Sequence, residues 1–224
     1  MILVKPSYEI LGLYSDFATK NDPLHLIELA GRTCYKSEDR MDHNSASKFV
    51  KMITKLGHNS VIEHSAMTVK FIVDRGVTHE LVRHRLIAFS QESTRYCNYK
   101  GGVTFVIPPW VDVEPGEYKY TDPLPERNSD TVWWQSMLSA EDDYMELLKK
   151  GWTPQQARSV LPNSLKTEIV CTTNLREWLH IFSLRCSTKA HPQMQEVMKP
   201  LLYNMVTRIP EIFGDLYDSF RTEI

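Results

Sequence analysis

A chain of 224 residues with 42% hydrophobic side chains can bury a substantial core, either as one large domain or as two small ones. We expect one domain spanning residues 1–224. Twenty-six basic against 28 acidic side chains leave a net charge of -2, so nothing global draws the chain to nucleic acid or anionic membrane, and any anion site must come from local clustering of arginines and lysines. No window approaches the roughly 18 consecutive apolar residues of a membrane span, and Met1 to Pro6 lack the layout of a signal peptide, which makes the cytoplasm the expected location. Cys34, Cys97, Cys171 and Cys186 are scattered without a CxxC pair, so they are expected to be reduced, mostly buried thiols, with no zinc site and no disulfide framework.

Asp22 and Pro23 predict an N-cap and first turn, followed by a helix through Leu24, Ile27 and Gly31 toward Arg32 and Tyr35. From Ser45, the residues Ala46, Phe49, Val50, Ile53 and Leu56 recur at amphipathic spacing until Gly57. Met67, Val69, Phe71 and Val73 alternate as in a half-buried strand. After a turn at Asp74-Arg75-Gly76, Thr78 is expected to cap a helix running through Leu81, Val82 and Arg85 toward Phe89. Val103 to Ile107 reads as a strand. The prolines at 108, 109, 115, 123 and 125 then predict a surface loop inserted around residues 108–128.

Asp130 opens a long expected helix through Trp133, Met137, Tyr144 and Leu148 to Gly151, and Thr153-Pro154 opens a shorter one through Ala157, Arg158 and Leu161. Lys166 to Thr173 alternates as a strand. Asn174 with Glu177 resembles a capping box before a helix through Trp178, Ile181, Phe182 and Arg185. A last helix starts near Pro192, is disturbed at Pro200 and runs toward Ile209.

Arg83, His84 and Arg85 stand in succession, and on a helix, where neighbours turn by about 100°, they cannot share one solvated stripe. Taken alone, such a triplet is better explained by cations that offset the dipole near a helix C-terminus. Seven polar residues from Ser90 to Tyr96 follow, and they suit either a binding site or a solvated turn. The run from Arg83 through Ser93 to Tyr96 resembles the signature of the flavin-dependent thymidylate synthases, an RHR triplet, seven residues and a serine, then an arginine and an aromatic. Ala30 to Tyr35, Gly57 to His64, Gln156 to Pro162, Asn174 to Arg176 and Leu184-Arg185 resemble other blocks of that family in the same order.

The resemblance implies an α+β fold, a mostly antiparallel sheet packed by helices, and a homotetramer with active sites shared between subunits. It implies synthesis of dTMP from dUMP, with the one-carbon unit taken from methylenetetrahydrofolate and a hydride from FAD that NADPH has reduced. By motif position, Ser60, Arg83, His84, Arg85, Gln91, Asn174, Arg176 and His180 would contact FAD. Glu80, Arg83, Gln91, Glu92, Ser93, Thr94, Arg95, Arg158 and Arg185 would contact dUMP, with Arg95 and Arg158 supplying charge to its phosphate.

Glu80 stands where relatives often carry glutamine, and Gln91 where some carry glutamate, so Gln91 is expected to orient its ligand without acid or base chemistry. Ser93 has no base fixed beside it in sequence and is assigned to substrate binding. Arg185 continues the apolar face of Trp178 and Ile181, which suggests either a buried ion pair or a functional charge. The resemblance assigns it the catalytic role of stabilising negative charge at N3 of the uracil. Lys189 to Gln193 include extra residues relative to the family pattern.

Two other classes were weighed. A metallohydrolase could use His58, His64, His79 and His84 around Glu63, but there is no HExxH. A nucleic-acid module could use the interleaved arginines and aromatics of Arg83 to Tyr99, against which the balanced charge argues.

Overall fold

The computed structural model describes residues 1–14, 22–119, 121–122 and 128–221. The strands are β1 (Ile2–Val4), β2 (Ser7–Tyr14), β3 (Ala66–Asp74), β4 (Ala88–Gln91), β5 (Thr104–Val106), β6 (Gly116–Glu117) and β7 (Lys166–Asn174). The helices are α1 (Pro23–Thr33), α2 (Ser45–Lys55), α3 (Arg75–Leu81), α4 (Ser129–Lys149), α5 (Pro154–Ala157), α6 (Leu175–Arg185), α7 (Pro192–Arg208) and α8 (Pro210–Arg221). The fold is therefore α+β. One sheet has the order β5-β1-β6, with β1 parallel to β5 and antiparallel to β6, and the other has the order β2-β3-β7-β4. Backbone and side-chain bonds link 65 with 175, 68 with 172 and 75 with 165, so β3 and β7 run in opposite senses. Bonds between 86 and 173 and between 92 and 168 make β4 antiparallel to β7 as well. No described helix is long and apolar enough to cross a membrane.

The chain groups into two compact units, one built from residues 1–7, 71–83 and 89–170, the other from 8–70, 84–88 and 171–224. In the first, Leu3, Phe105, Ile107, Trp134, Leu138 and Tyr144 belong to one buried cluster between β1, β5 and α4. The proline-rich segment departs from the expected surface loop. Ile107 and Val111 are buried, Gly116–Glu117 pairs with β1, and Tyr118 meets Trp134 edge to face at 5.8 Å. These apolar side chains outweigh the prolines, which only exclude regular helix; Pro123 and Pro125 lie outside the described residues.

In the second unit, α1 packs on α2, α2 on α8, and α7 on both α6 and α8. Trp178, Ile181 and Phe182 are fully buried, and Phe182 stacks edge to face on Phe213 at 5.7 Å. The expected starts of α1 and α6 hold: Asp22 accepts from Leu24 N, and Asn174 accepts from Glu177 N. Gly57 follows α2 at φ 78, as a helix terminator does. Lys36, just past α1, takes φ 49 without being glycine, in a turn closed by Ser37 N donating to Arg32 O.

Several expectations are corrected. Helix α3 begins three residues before Thr78, because the Asp74 carboxylate accepts from Val77 N at 2.9 Å, and it ends at Leu81. The Arg83-His84-Arg85 triplet consequently lies in the turn after the helix, where helical azimuths do not apply. Pro200 does not interrupt α7: burial of Val197, Met198, Leu201, Leu202 and Met205, at roughly 1.5–3 kcal/mol each, exceeds the cost of about 3 kcal/mol for an interior proline. Strand β4 takes residues 88–91, where the helix is expected to run on toward Phe89, and strands β1, β2 and β6 and helix α8 match no sequence-based expectation. Of the four thiols only Cys171 and Cys186 are buried, and burial pushes both up to about 12; Cys34 and Cys97 are exposed.

Candidate active site

In the first unit the segment after β4 is held from below. Gln91 Nε2 donates to the hydroxyls of Thr78 at 3.0 Å and Thr167 at 3.3 Å, which fixes its amide. Glu92 is anchored at every polar point: its N–H donates to Glu168 O, its carboxylate accepts from the Tyr99 hydroxyl at 3.0 Å and from Lys166 Nζ at 3.3 Å, and Arg75 Nη1 reaches its carbonyl at 3.5 Å. Burial, then the Glu92 charge, push the Tyr99 hydroxyl well above its ordinary range, so it stays a donor. The Ser93 hydroxyl accepts from Arg95 N at 3.3 Å. Its neighbour Thr94 is 5% exposed and accepts from Arg158 Nη1 at 2.8 Å, while Arg95 Nε donates to Gln155 Oε1 at 2.8 Å.

Above this platform opens a cavity of about 420 Å³ whose lining includes Arg75, His79, Thr94, Gln155, Arg158 and Asn163. Two guanidiniums, an imidazole and a hydroxyl around one space form a receptor for an anion, and its volume lies in the range of small-molecule pockets. Thr94 and Arg158 were expected at such a site. Arg75 and His79 were not, because they share a face only if the helix has already begun at Arg75, and the sequence reading placed its cap at Thr78. Arg83 is exposed and Glu80 half-buried in the same unit.

In the second unit β7 leads directly into α6, so Asn174 both ends the strand and caps the helix. The expected capping box is only half made. Asn174 accepts from Glu177 N, but the Glu177 carboxylate does not return to the cap; its Oε1 lies 3.8 Å from His84 Nδ1. His84 is 6% exposed, and its Nε2 accepts from Arg185 Nε at 3.0 Å. Burial, then the nearby charges of Arg185 and His180, lower His84 from 6.5 to about 4, so at neutral pH the ring is uncharged and the Glu177 contact is not an ion pair. The accepting Nε2 requires the ring proton on Nδ1, facing Glu177.

His180 meets His84 edge to face at 6.0 Å, and ligand-type atoms of His84, Glu177 and His180 lie within 4.8 Å of one another. The Arg185 guanidinium uses the Nε2 lone pair and adds positive charge, and both work against a cation at this group. Neither His58 nor His64 joins it among the described residues. Arg176 pairs with Glu63, and Arg176 and His180 are both exposed on α6, as are Ser60 and Arg85 in their own segments.

The family model described as thymidylate synthase complementing protein matches residues 17–211. The flavin-dependent thymidylate synthase of Geobacter sulfurreducens is 32% identical over 202 residues, covering 87% of this chain and 82% of that protein. Enzymes of the same name from Corynebacterium efficiens and Mycobacteroides abscessus are 32% and 33% identical, each covering 85% of this chain and 78% of the relative. Among solved structures, the UMP/dUMP methylase PolB from Streptomyces cacaoi, bound with 5-Br dUMP, superposes with a TM-score of 0.74 over 96% of both chains at 24% identity, which speaks to the fold. With the motif order, the α+β architecture and these matches in hand, the chain belongs to the thymidylate synthase complementing protein family and is an enzyme of the flavin-dependent thymidylate synthase class.

Proposed function

We propose that this enzyme makes dTMP from dUMP, taking the one-carbon unit from methylenetetrahydrofolate and a hydride from FAD that NADPH has reduced. The observation that carries the reading is the 420 Å³ cationic cavity, because its lining joins Thr94 and Arg158, two residues that the family motifs assign to the nucleotide, with Arg75 and His79. Arg158, Arg75 and His79 would bind the phosphate, with Thr94 aligned by its bond to Arg158. Ser93 and Arg95 supply further donors at this end, and Glu92, with both carboxylate oxygens engaged, braces the platform. Glu80, in the last turn of α3, and Arg83, in the turn after it, stand in the segment that the resemblance gives to dUMP.

Arg185 would face the uracil and stabilise negative charge at N3, which raises electron density at the carbon that attacks the one-carbon donor. That carbon would take up the methylene unit as tetrahydrofolate leaves, give up its proton, and be completed to a methyl group by hydride. FAD, once reduced by NADPH, would supply that hydride when bound. The residues present suit such a group: Arg83 and Arg85 offer exposed guanidiniums to a pyrophosphate, and Ser60, Gln91, Asn174, Arg176 and His180 offer neutral and charged donors. Asn174 Oδ1 is committed to the α6 cap, so its amide N–H would make the contact. His84 completes this set.

The chain passes five times between the two units, which supports a single domain over residues 1–224. We propose a homotetramer with shared sites, acting in the cytoplasm. The test is dTMP formation from dUMP, methylenetetrahydrofolate, NADPH and FAD, with each omitted in turn and the mass of the assembly measured by light scattering. Every omission should abolish turnover, and full activity without flavin overturns the proposal.

A further inference from the structure

The family motifs give Glu177 no role, yet this acidic side chain is 9% exposed, which calls for a reason. Helix capping does not supply one, since its carboxylate leaves the α6 N-terminus and turns to His84, 3.8 Å away. His84 in turn is 6% exposed and bonded through Nε2 to Arg185 Nε at 3.0 Å. Three side chains from the two ends of α6 and from the turn after α3 thus follow one another in space: carboxylate, neutral imidazole, guanidinium.

We propose that Glu177 and His84 are positioning residues that hold the Arg185 guanidinium in the orientation in which it meets the nucleotide base. An arginine side chain at the last turn of a helix samples many rotamers, and a bond at Nε fixes the plane of the whole fork. Only the tautomer with its proton on Nδ1 can receive that bond, and a carboxylate facing Nδ1 selects it. A glutamine in place of Glu177 can donate to Nδ1, which favours the other tautomer and sets an N–H against the arginine. The inference rests on the reading of Arg185 as the residue that meets the uracil.

The experiment is a double-mutant cycle on the flavin-loaded enzyme with Glu177→Gln, Arg185→Ala and the pair, reading dUMP affinity, kcat and KM, flavin content and thermal midpoint. Glu177→Gln should weaken dUMP binding roughly 10-fold with flavin content unchanged, as outer-shell partners do. On the Arg185→Ala background it should change affinity less than about 2-fold, because the coupling is then gone. Glu177→Asp, which keeps the charge, should recover part of the loss. An equal loss from Glu177→Gln in both backgrounds means a merely structural role and overturns the proposal, as does wild-type affinity in the single variant. Stoichiometric zinc bound by the wild type and lost in Glu177→Gln overturns it in favour of a metal site. Should Arg185→Ala itself bind dUMP like the wild type, the reading of Arg185 fails first, and the two failures remain distinct.

Discussion

Arg158→Ala is the sharpest test of the phosphate cavity. In the free protein Arg158 is exposed, and its Nη1 donates to Thr94 Oγ1 at 2.8 Å. Its removal should cost about 0.5–1.5 kcal/mol of folding stability, a small part of the usual 5–15 kcal/mol. In the complex the same guanidinium would donate to a phosphate oxygen, and hydrogen bonds to charged groups contribute roughly 1.5–3 kcal/mol. At about 1.4 kcal/mol per decade, dUMP affinity should fall some 10- to 150-fold. Arg158→Lys should lie between, since it keeps the charge and loses the planar fork. Calorimetric titration with dUMP and, in parallel, with deoxyuridine separates phosphate recognition from general damage: only the dUMP affinity should drop. Folded Arg158→Ala protein that binds dUMP within twofold of the wild type, or loses both ligands equally, refutes the assignment.

Protonation of His84 gives a pH signature. Its folded value, about 4, lies below the ordinary 6.5, so the unfolded chain binds the proton more tightly and this group's contribution to stability, complete above pH 6.5, is lost as pH falls toward 4. Denaturant midpoints between pH 7 and 4.5 should decline more steeply for the wild type than for His84→Gln; parallel slopes contradict this. Trp178→Phe replaces a fully buried indole with a smaller ring and deletes its Nε1–H bond to Met67 O at 3.1 Å, so urea unfolding should show a loss of about 2–4 kcal/mol. A loss under about 0.5 kcal/mol would contradict that burial. Asn174→Ala should cost about 1 kcal/mol through the lost α6 cap and Asn174→Asp almost nothing. If Asn174 also holds flavin through its amide N–H, Asn174→Asp should keep stability and still lose flavin affinity.

Local signals carried much of the architecture. Asp22-Pro23, the spacing of Ala46, Val50 and Ile53, and the alternation of β7 each need only nearest neighbours along the chain, and each stands where its pattern predicts. The family, too, was legible, because the ordered motifs from Ala30 to Arg185 are themselves sequence. What the sequence left open were choices between competing local options. Asp74 and Thr78 are both good caps, and the Asp74 side chain prevails by accepting from Val77 N, which ends α3 before the RHR triplet. Strand β1 spans three residues, too few to show a period, and exists because β5 and β6 flank it.

The same division runs through the site. Thr94 and Arg158 could be assigned from motif position, whereas the bond between them and the arrival of Arg75 and His79 at the same cavity depend on where distant segments fold. Arg185 announced itself as a charge on an apolar face. That it bonds to a neutral histidine with Glu177 on the far side of the ring could be decided only in three dimensions, because burial sets the protonation state and no one-dimensional pattern records burial.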